Sequence, residues 1–532
     1  MIPGRHRHAI ATSLLGLVSA CGGDELFEPH LRDGEVAIAN EAVSHVASDN
    51  QNIAETWLVG DLDGDGKDDA VLRVTYQAAQ IVPRTNDYVG GALYVLYGGT
   101  ATGAVDVTKL PSLIADPFGY GLRPEPVGDV DGDGLADLLI VYDASSACHD
   151  GVTAQDDEKH STAFLLYGST ARLGATTPVT SIAARLRDPA PCTASVDHVA
   201  SLGDIDGDGR ADFAIGGPDA GRGVSQLAQL YVFYGRGARI SGTVDLEASA
   251  DAVLDLPLEH LTGLYGLTYP VGGHVARAGD VDGDGRGDVF VDAPGGGIRL
   301  VRGSAARWSG TVTLDQLGGT TFAREQLDGP RLGVTALGDL DGDGADDFAL
   351  QSYPVVNIFD VGVGPNRATV QHLFYGRRGG FPARLDLTAA DASFASSTPS
   401  AVSTLTSLAS GDLDGDGVTD LVMGDTSYDA DNGGVAVFPG SGSRFAGTTV
   451  FGAQSKIYVG RSKQYPGCSE ARCLVHEWVG AALGVGDLTG DGRADVLVSA
   501  PSVAPWYTGA RLDVRGSSTS SAYLLSPRSA KP

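Results

Sequence analysis

Apolar residues in this chain come in short bursts rather than at helical spacing. Seven five-residue stretches stand out: AVLRV at 70–74, LLIVY at 138–142, FAIGG at 213–217, VFVDA at 289–293, FALQS at 348–352, LVMGD at 421–425 and VLVSA at 496–500. Runs this short, rich in β-branched residues and bounded by Gly, predict buried strands. A second burst follows each: LYVLYG at 93–98, AFLLYG at 163–168, LYVFYG at 230–235, IRLVRG at 298–303, QHLFYG at 371–376, VAVFPG at 435–440 and SAYLLS at 521–526. Most units add a third stretch, such as GTVDLEA at 242–248, GTVTLDQL at 310–317 or ARLDLTA at 383–389. With the strand before the first burst, each unit holds about four short strands. Four-stranded units repeated radially predict propeller blades, and no helical pattern of useful length competes. The expected fold is all-β, a seven-bladed β-propeller of four-stranded antiparallel blades.

Immediately before each first burst lies an acidic loop of the form G-D-x-D-G-D-G-x-x-D, recurring on average every 71 residues between Asp61 and Asp487. Like charges this close repel unless a cation sits between them. Asp at loop positions 1, 3 and 5 wraps one ion, and Gly at position 6 turns the chain so that the position-7 carbonyl joins them. A fourth carboxylate comes at position 9. The candidate ligands, with the carbonyl donor fourth in each loop, are Asp61, Asp63, Asp65, Lys67 and Asp69; Asp129, Asp131, Asp133, Leu135 and Asp137; and Asp204, Asp206, Asp208, Arg210 and Asp212. The series continues with Asp280, Asp282, Asp284, Arg286 and Asp288; Asp339, Asp341, Asp343, Ala345 and Asp347; and Asp412, Asp414, Asp416, Val418 and Asp420. The seventh loop departs from the pattern: Asp487, Thr489, Asp491, Arg493 and Asp495 put a neutral Thr at position 3. Its site is expected to be the weakest.

Oxygen-only donors favour calcium, with up to seven sites, over the stricter octahedron of magnesium. An EF-hand needs a bidentate Glu at position 12; here that position is Leu72, Ile140, Ile215, Val291, Leu350, Met423 and Val498, all apolar. The loop is therefore expected to clip a β-hairpin.

Charge sharpens this picture. The chain of 532 residues carries a formal −30, and six loops of four Asp and one of three hold 27 of its 67 acidic residues. Seven divalent ions would bring the net charge to −16. No basic stripe is visible, which argues against nucleic acid as a partner. The repeat accounts for the chain beyond its start, leaving no room for a second domain. At the start, a basic MIPGRHRH and a short apolar AIATSLLGLVSA precede CGG, the layout of an export signal too short to span a bilayer. In an exported chain, Cys148, Cys192, Cys468 and Cys473 allow three disulfide pairings, with free thiols or a zinc site as alternatives.

The loops, with APG at 293–295 and SAPS at 499–502 after them, resemble FG-GAP repeats, the blades of integrin α-subunit propellers and their bacterial relatives. That resemblance implies calcium held in the hairpin between the first and second strands of each blade. The FG half of the family motif is poorly kept. LVSAC likewise resembles the lipobox of bacterial lipoproteins, which implies Cys21 as the acylated first residue of an outer-membrane or cell-surface protein; the alternative is an ordinary signal cleaved near Ala20. The expected boundaries are a lipoprotein signal at 1–20, a tether at 21–34, the propeller at 35–526 and a tail at 527–532. Only six residues follow SAYLLS, so GEVAIANEA at 34–42 is expected to complete blade seven.

In a propeller, the connections carrying Cys148 and Cys192 leave the face opposite the calcium loops, making that pair feasible, with Cys468–Cys473 closing a small loop there. Irregular insertions at 143–162, 351–370 and 455–473 fall on the same face, where unequal loops on a rigid scaffold suit recognition. Tyr353, Tyr458, Tyr465 and Trp506 are candidate anchors for a protein or glycan ligand; loop packing is their alternative role. Two suggestive motifs are set aside. RGD at 286–288 ends on a loop carboxylate, and HEWVG at 476–480 lacks the second His of a zinc protease. The expected function is a lipid-anchored, calcium-stabilised binding or adhesion scaffold whose only link to the membrane is the lipid. A propeller-type polysaccharide lyase or hydrolase with structural calcium is the alternative, and a passive calcium buffer is disfavoured.

Overall fold

A computed structural model of the chain describes residues 26–27, 31, 35–47, 51–76, 91–100, 103–114, 122–142, 160–188, 198–218, 227–257, 259–262, 268–271, 274–293, 297–323, 333–352, 369–396, 406–452, 456–464, 474–501 and 521–526. Seven of its sheets form the blades; two smaller ones lie outside them, the hairpin of Glu259–Thr262 with Thr268–Val271 and a three-stranded sheet of Leu26–Phe27, Ser462–Gln464 and Leu474–His476. Blade one runs from the inner strand Gln51–Gly60 through Asp69–Tyr76 and Gly91–Leu96 to the outer strand Ser112–Ile114. Blades two to six repeat this antiparallel order, starting at Arg123, His198, Val275, Val334 and Thr406. Blade seven takes Leu483–Gly486, Asp495–Ala500 and Ser521–Leu525 from the end of the chain and its outer strand, Ser44–Ala47, from the beginning. Each inner strand packs beside the next, the seventh beside the first, so the ring is closed.

The second strands read as continuous apolar runs because both faces of a blade are covered. Along blade two, Leu138, Ile140 and Tyr142 face a cluster shared with Val71, Leu93 and Val95 of blade one. The alternate residues Leu139 and Val141 face Phe213, Ile215 and Phe233 of blade three. The buried apolar residues sort into seven clusters in this way, one at every seam between neighbouring blades. The seam of blades four and five is aromatic: Phe290, Phe322, Phe348, Phe374 and Phe381 pack with ring centroids 4.9 to 5.9 Å apart. Offset and edge contacts of this kind add to the area they bury.

Two expectations need correction. The stretches GTVDLEA, GTVTLDQL and ARLDLTA are not strands of their own blade. Thr243–Asp245, Gly310–Thr313 and Arg384–Asp386 pair in parallel with the outer strand of the preceding blade, giving every blade a fifth strand. A single helical turn follows, and its first residue (Leu246, Leu314 or Leu387) is driven into the core. Asp245 and Asp386 cap their turns by accepting from the Ala248 and Thr388 N–H groups at 2.8 Å. Only then comes the true outer strand. These fifth strands are largely exposed on both flanks, so their short alternation carries no information about which blade they join.

The second correction follows from the first. Residues 34–42 do not supply blade seven's outer strand. Glu35–Ala37 is the fifth strand of blade six, Ile38–Glu41 is the helical turn with Ile38 buried, and Ser44–Ala47 closes blade seven. The beginning of the propeller thus contributes a whole strand–turn–strand unit, latched by the Tyr428 hydroxyl donating to the Glu35 carboxylate.

Glu477, from the HEWVG stretch, helps lock the same seam. It is buried, accepting from the Tyr523 hydroxyl at 2.8 Å and the Arg461 N–H at 2.7 Å, with the Arg461 guanidinium 3.2 Å away. His45, on the closing strand, stacks on Tyr523 with centroids 4.8 Å apart. Removing one member of a buried pair leaves the other uncompensated, at a cost of about 3–5 kcal/mol. Glu477→Ala is therefore expected to lower the melting temperature by roughly 3–5 °C, taking ~1 kcal/mol per degree for a chain of this size. A calorimetric scan showing no change would mean the cluster contributes nothing to closure.

Candidate metal centres

Each acidic loop connects the inner strand to the second strand of its blade, so all seven lie at one end of the ring. Their geometry follows from two glycines. In loop one Gly64 and Gly66 have φ of +77° and +81°, the left-handed region, and the equivalent glycines of the other loops do the same. The sequence reading required only the second of these. The double turn folds backbone N–H groups inward onto position 1: Asp61 accepts from Gly64 at 2.6 Å and from Gly66 at 2.8 Å. Position 9 is the buried floor. Both oxygens of Asp69 accept backbone N–H groups, from Leu62 at 2.8 Å and Gly98 at 2.7 Å, and Asp137, Asp212, Asp288, Asp347 and Asp420 repeat the arrangement.

The carboxylates of positions 1, 3 and 9 converge. One oxygen each from Asp61, Asp63 and Asp69 lies within 4.8 Å of the others, and so do the matching atoms of loops two to five. Among the described residues, Asp282 Oδ1, Asp495 Oδ1 and Thr489 Oγ1 are buried without a well-aligned hydrogen-bond partner. Such orphaned oxygens among clustered carboxylates fit a hard cation.

Burial pushes the carboxyls of Asp69, Asp137, Asp212, Asp288 and Asp347 up to about 7, and neighbouring Asp residues add to the effect. A folded-state pKa above the ordinary 3.8 means that the folded chain holds these protons more tightly. Metal-free protein should therefore gain stability as pH falls from above 7 toward 4. His45 and His372, lowered by burial, oppose this below their ordinary 6.5, but they are two groups against five. Melting curves of metal-stripped protein at pH 8 and pH 5 check this; a melt that does not rise at the lower pH contradicts it.

The loops are also chained to one another. The position-8 N–H donates to the position-1 carbonyl of the preceding loop: Ala136 to Asp61, Ala211 to Asp129, Gly287 to Asp204, Asp346 to Asp280 and Ala494 to Asp412, at 2.7 to 2.9 Å. Between loops six and five the Thr419 hydroxyl makes the link, donating to the Asp339 carbonyl at 3.3 Å, and Asp68 donates to Asp487 at 3.0 Å, which joins loop one back to loop seven. An arginine enters most loops from the following blade. Arg172 places Nε against Asp63 and Nη2 2.9 Å from Asp65, while its guanidinium lies 4.8 Å over the Tyr97 ring. The candidate ligands left these arginines out; their signal was an Arg four residues after the Gly that ends the second apolar burst, as in YGSTAR at 167–172, RGSAAR at 302–307 and PGSGSR at 439–444.

The remaining candidates fare differently. Tyr458 is not a surface anchor: it is buried on the outer strand of blade six and packs against Val435, Val498 and Tyr523. Its strand sits between two blades, which the insertion-like local sequence concealed. Asp288 of RGD is buried with both oxygens taken, so it is unavailable to an adhesion receptor. Cys21, Cys148, Cys192, Cys468, Cys473, Tyr353, Tyr465 and Trp506 lie outside the described residues.

The model of the FG-GAP repeat matches residues 198–233, 404–438 and 479–512, and each match spans an inner strand, an acidic loop and the strand after it. The chain carries FG-GAP repeats. The four remaining loops share the glycine turns of the matched segments and the position-9 floor of loops three and six. Over 207 residues the chain is 29% identical to Integrin alpha-PS2 of Drosophila melanogaster, a match covering 38% of this chain and 13% of that protein. Among solved structures, a rhamnogalacturonan lyase of Bacillus licheniformis is 12% identical with a TM-score of 0.35, over 90% of this chain and 71% of that one. A lectin from Burkholderia pseudomallei is also 12% identical at a TM-score of 0.35, over 88% and 97%. Among the described residues, no helix is long and apolar enough to cross a membrane.

Proposed function

We propose that this FG-GAP propeller is a calcium-stabilised scaffold that binds a protein or glycan through the face opposite its metal loops. The observation that carries the reading is an asymmetry between the two ends of the ring. At one end, seven near-identical loops are consumed by backbone bonds and by one another. At the other end, the connections between second and third strands differ widely, from three residues between Ala293 and Gly297 to twenty between Ala500 and Ser521. Identical loops suit support, and unequal loops on a rigid frame suit recognition. Calcium is the ion this donor set favours, since every donor is an oxygen.

A glycan and protein array probed with calcium-loaded protein tests the reading. Binding to one ligand class is expected, and it should be lost when the connection at 353–368 is replaced by a short Gly-Ser turn while the calcium-dependent melt is kept. Binding that survives replacement of this connection and of 143–159 and 502–520 would remove the opposite face from consideration. Cleavage of an arrayed polysaccharide would instead support the lyase or hydrolase alternative.

LVSAC supports a further part of the proposal, that Cys21 carries the lipid which holds the scaffold at the cell surface. Mass spectrometry of the mature N-terminus should find an acylated Cys21; an unmodified start elsewhere rejects the anchor.

A further inference from the structure

The arginines between blades form a system with its own rule. Arg239 reaches Asp131 and Asp133 of loop two, Arg307 reaches Asp206 and Asp208 of loop three, and Arg444 reaches Asp341 and Asp343 of loop five, just as Arg172 reaches Asp63 and Asp65 of loop one. In each case Nε takes position 3 and Nη2 takes position 5. Each guanidinium lies 4.7 to 4.9 Å over a Tyr ring of the preceding blade: Tyr97, Tyr167, Tyr234 or Tyr375. The same Tyr hydroxyl accepts the N–H of the residue after the arginine at 2.6 to 2.9 Å. Three contacts on one blade therefore fix an arginine that belongs to the next.

Loop four shows that the charge, rather than its origin, is what is kept. Arg302 replaces the Tyr, and Gly380 replaces the incoming Arg. Arg302 turns into its own blade's loop, with Nε 3.2 Å from Asp282, and donates to the Gly379 carbonyl at 3.2 Å. A side chain at position 380 would collide with that guanidinium, so the two substitutions belong together. Loop seven makes the reverse case. Where Thr489 replaces the position-3 Asp, the arginine's sequence position holds Thr102; for loop six, which keeps Asp414, it holds Lys531. In the sequence, a basic residue at this position, or Arg302 in its stead, accompanies each of the six loops that keep the position-3 carboxylate, and Thr102 accompanies the one that lacks it.

Both carboxylates contacted by the arginine are candidate metal ligands. A carboxylate has about four lone-pair sites, so one backbone N–H and one guanidinium N–H leave room for an ion. A planar fork spanning two carboxylates fixes their orientation, which is the service that partners behind the ligands give to a metal site. We propose that Arg172, Arg239, Arg307 and Arg444 are positioning residues acting across blades, so that each loop attains full calcium affinity only when the following blade is docked. Metal loading and closure of the seam are then one coupled event. The inference rests on the calcium reading above.

The test uses the full chain carrying Arg172→Gln, Arg444→Gln, or all four Arg→Gln changes, with calcium itself as the probe. Calorimetric titration of wild type should register several sites, and each substitution should weaken one of them about 10- to 100-fold. The calcium-induced rise in melting temperature should shrink in step. Arg172→Lys, which keeps the charge and loses the fork, should recover only part of the affinity. If the four-fold variant does not fold, the single variants decide. Unchanged affinity with an equal loss of melting temperature in calcium and in chelator would reduce the arginines to seam glue and overturn the proposal. Tighter calcium binding in the variants would also overturn it, by showing that the arginine competes with the ion. A wild type that binds no calcium overturns the calcium reading itself and the proposal with it.

Discussion

Stripping calcium from the folded chain is expected to lower its melting temperature by about 10 °C. Sites of this kind in exported proteins bind at roughly 10⁻⁴ to 10⁻³ M. At free calcium about tenfold above the dissociation constant, each site adds roughly 1.4 kcal/mol to the native state. Seven such sites add about 10 kcal/mol, and a chain of this size has an unfolding entropy near 1 kcal/mol per degree. The physical source is repulsion: with the ions gone, the three converging carboxylates of each cluster face one another across less than 4.8 Å. Scans with and without chelator at pH 7.5 measure it. A melt that stays put in protein shown by elemental analysis to be metal-free would mean that the backbone bonds and the arginines hold the loops unaided.

The second large effect should come from the N-terminal unit. Deleting residues through Ala47 removes the outer strand of blade seven, the fifth strand of blade six and the buried side chains of Ile38 and Val46. It also exposes the Ser521–Leu525 edge, five buried residues whose backbone groups would lose their partners. The expected outcome is loss of the cooperative melt and aggregation on size-exclusion chromatography, whereas deletion through residue 34, which removes only the two-residue strand Leu26–Phe27 beside Ser462–Lys463, should leave both unchanged. Equal behaviour of the two truncations would mean that the ring holds without this closure.

Much of this architecture was legible in the sequence, for identifiable reasons. Loop chemistry is local: Asp and Gly at fixed offsets specify a turn and a donor set within nine residues, and all seven copies take the same left-handed glycine conformations. The second strands were equally plain, since a strand buried on both faces must be apolar throughout. Strand partnership was not legible. GTVD at 242–245 reads as a strand, yet nothing in four half-exposed residues says that its partner is Arg185–Arg187 of the preceding blade. The closing unit was misplaced by the same ambiguity, because EVA and SHVA are equally strand-like and only the strand–turn–strand plan of the other blades tells them apart. Tyr458 was misread since exposure is decided by a neighbouring blade distant in sequence. The arginines were missed because their partners lie about 100 residues away, as Arg172 does from Asp63 and Asp65.

On the proposed reading, the acidic loops are calcium clips holding the blades of one closed ring. Native mass spectrometry of metal-stripped protein titrated with calcium tests it most directly. Successive mass increments of one calcium each are expected, rising to six and then to seven at higher concentration, with Asp491→Asn abolishing only the last. A protein that stays folded and takes up no calcium at millimolar concentration would contradict it.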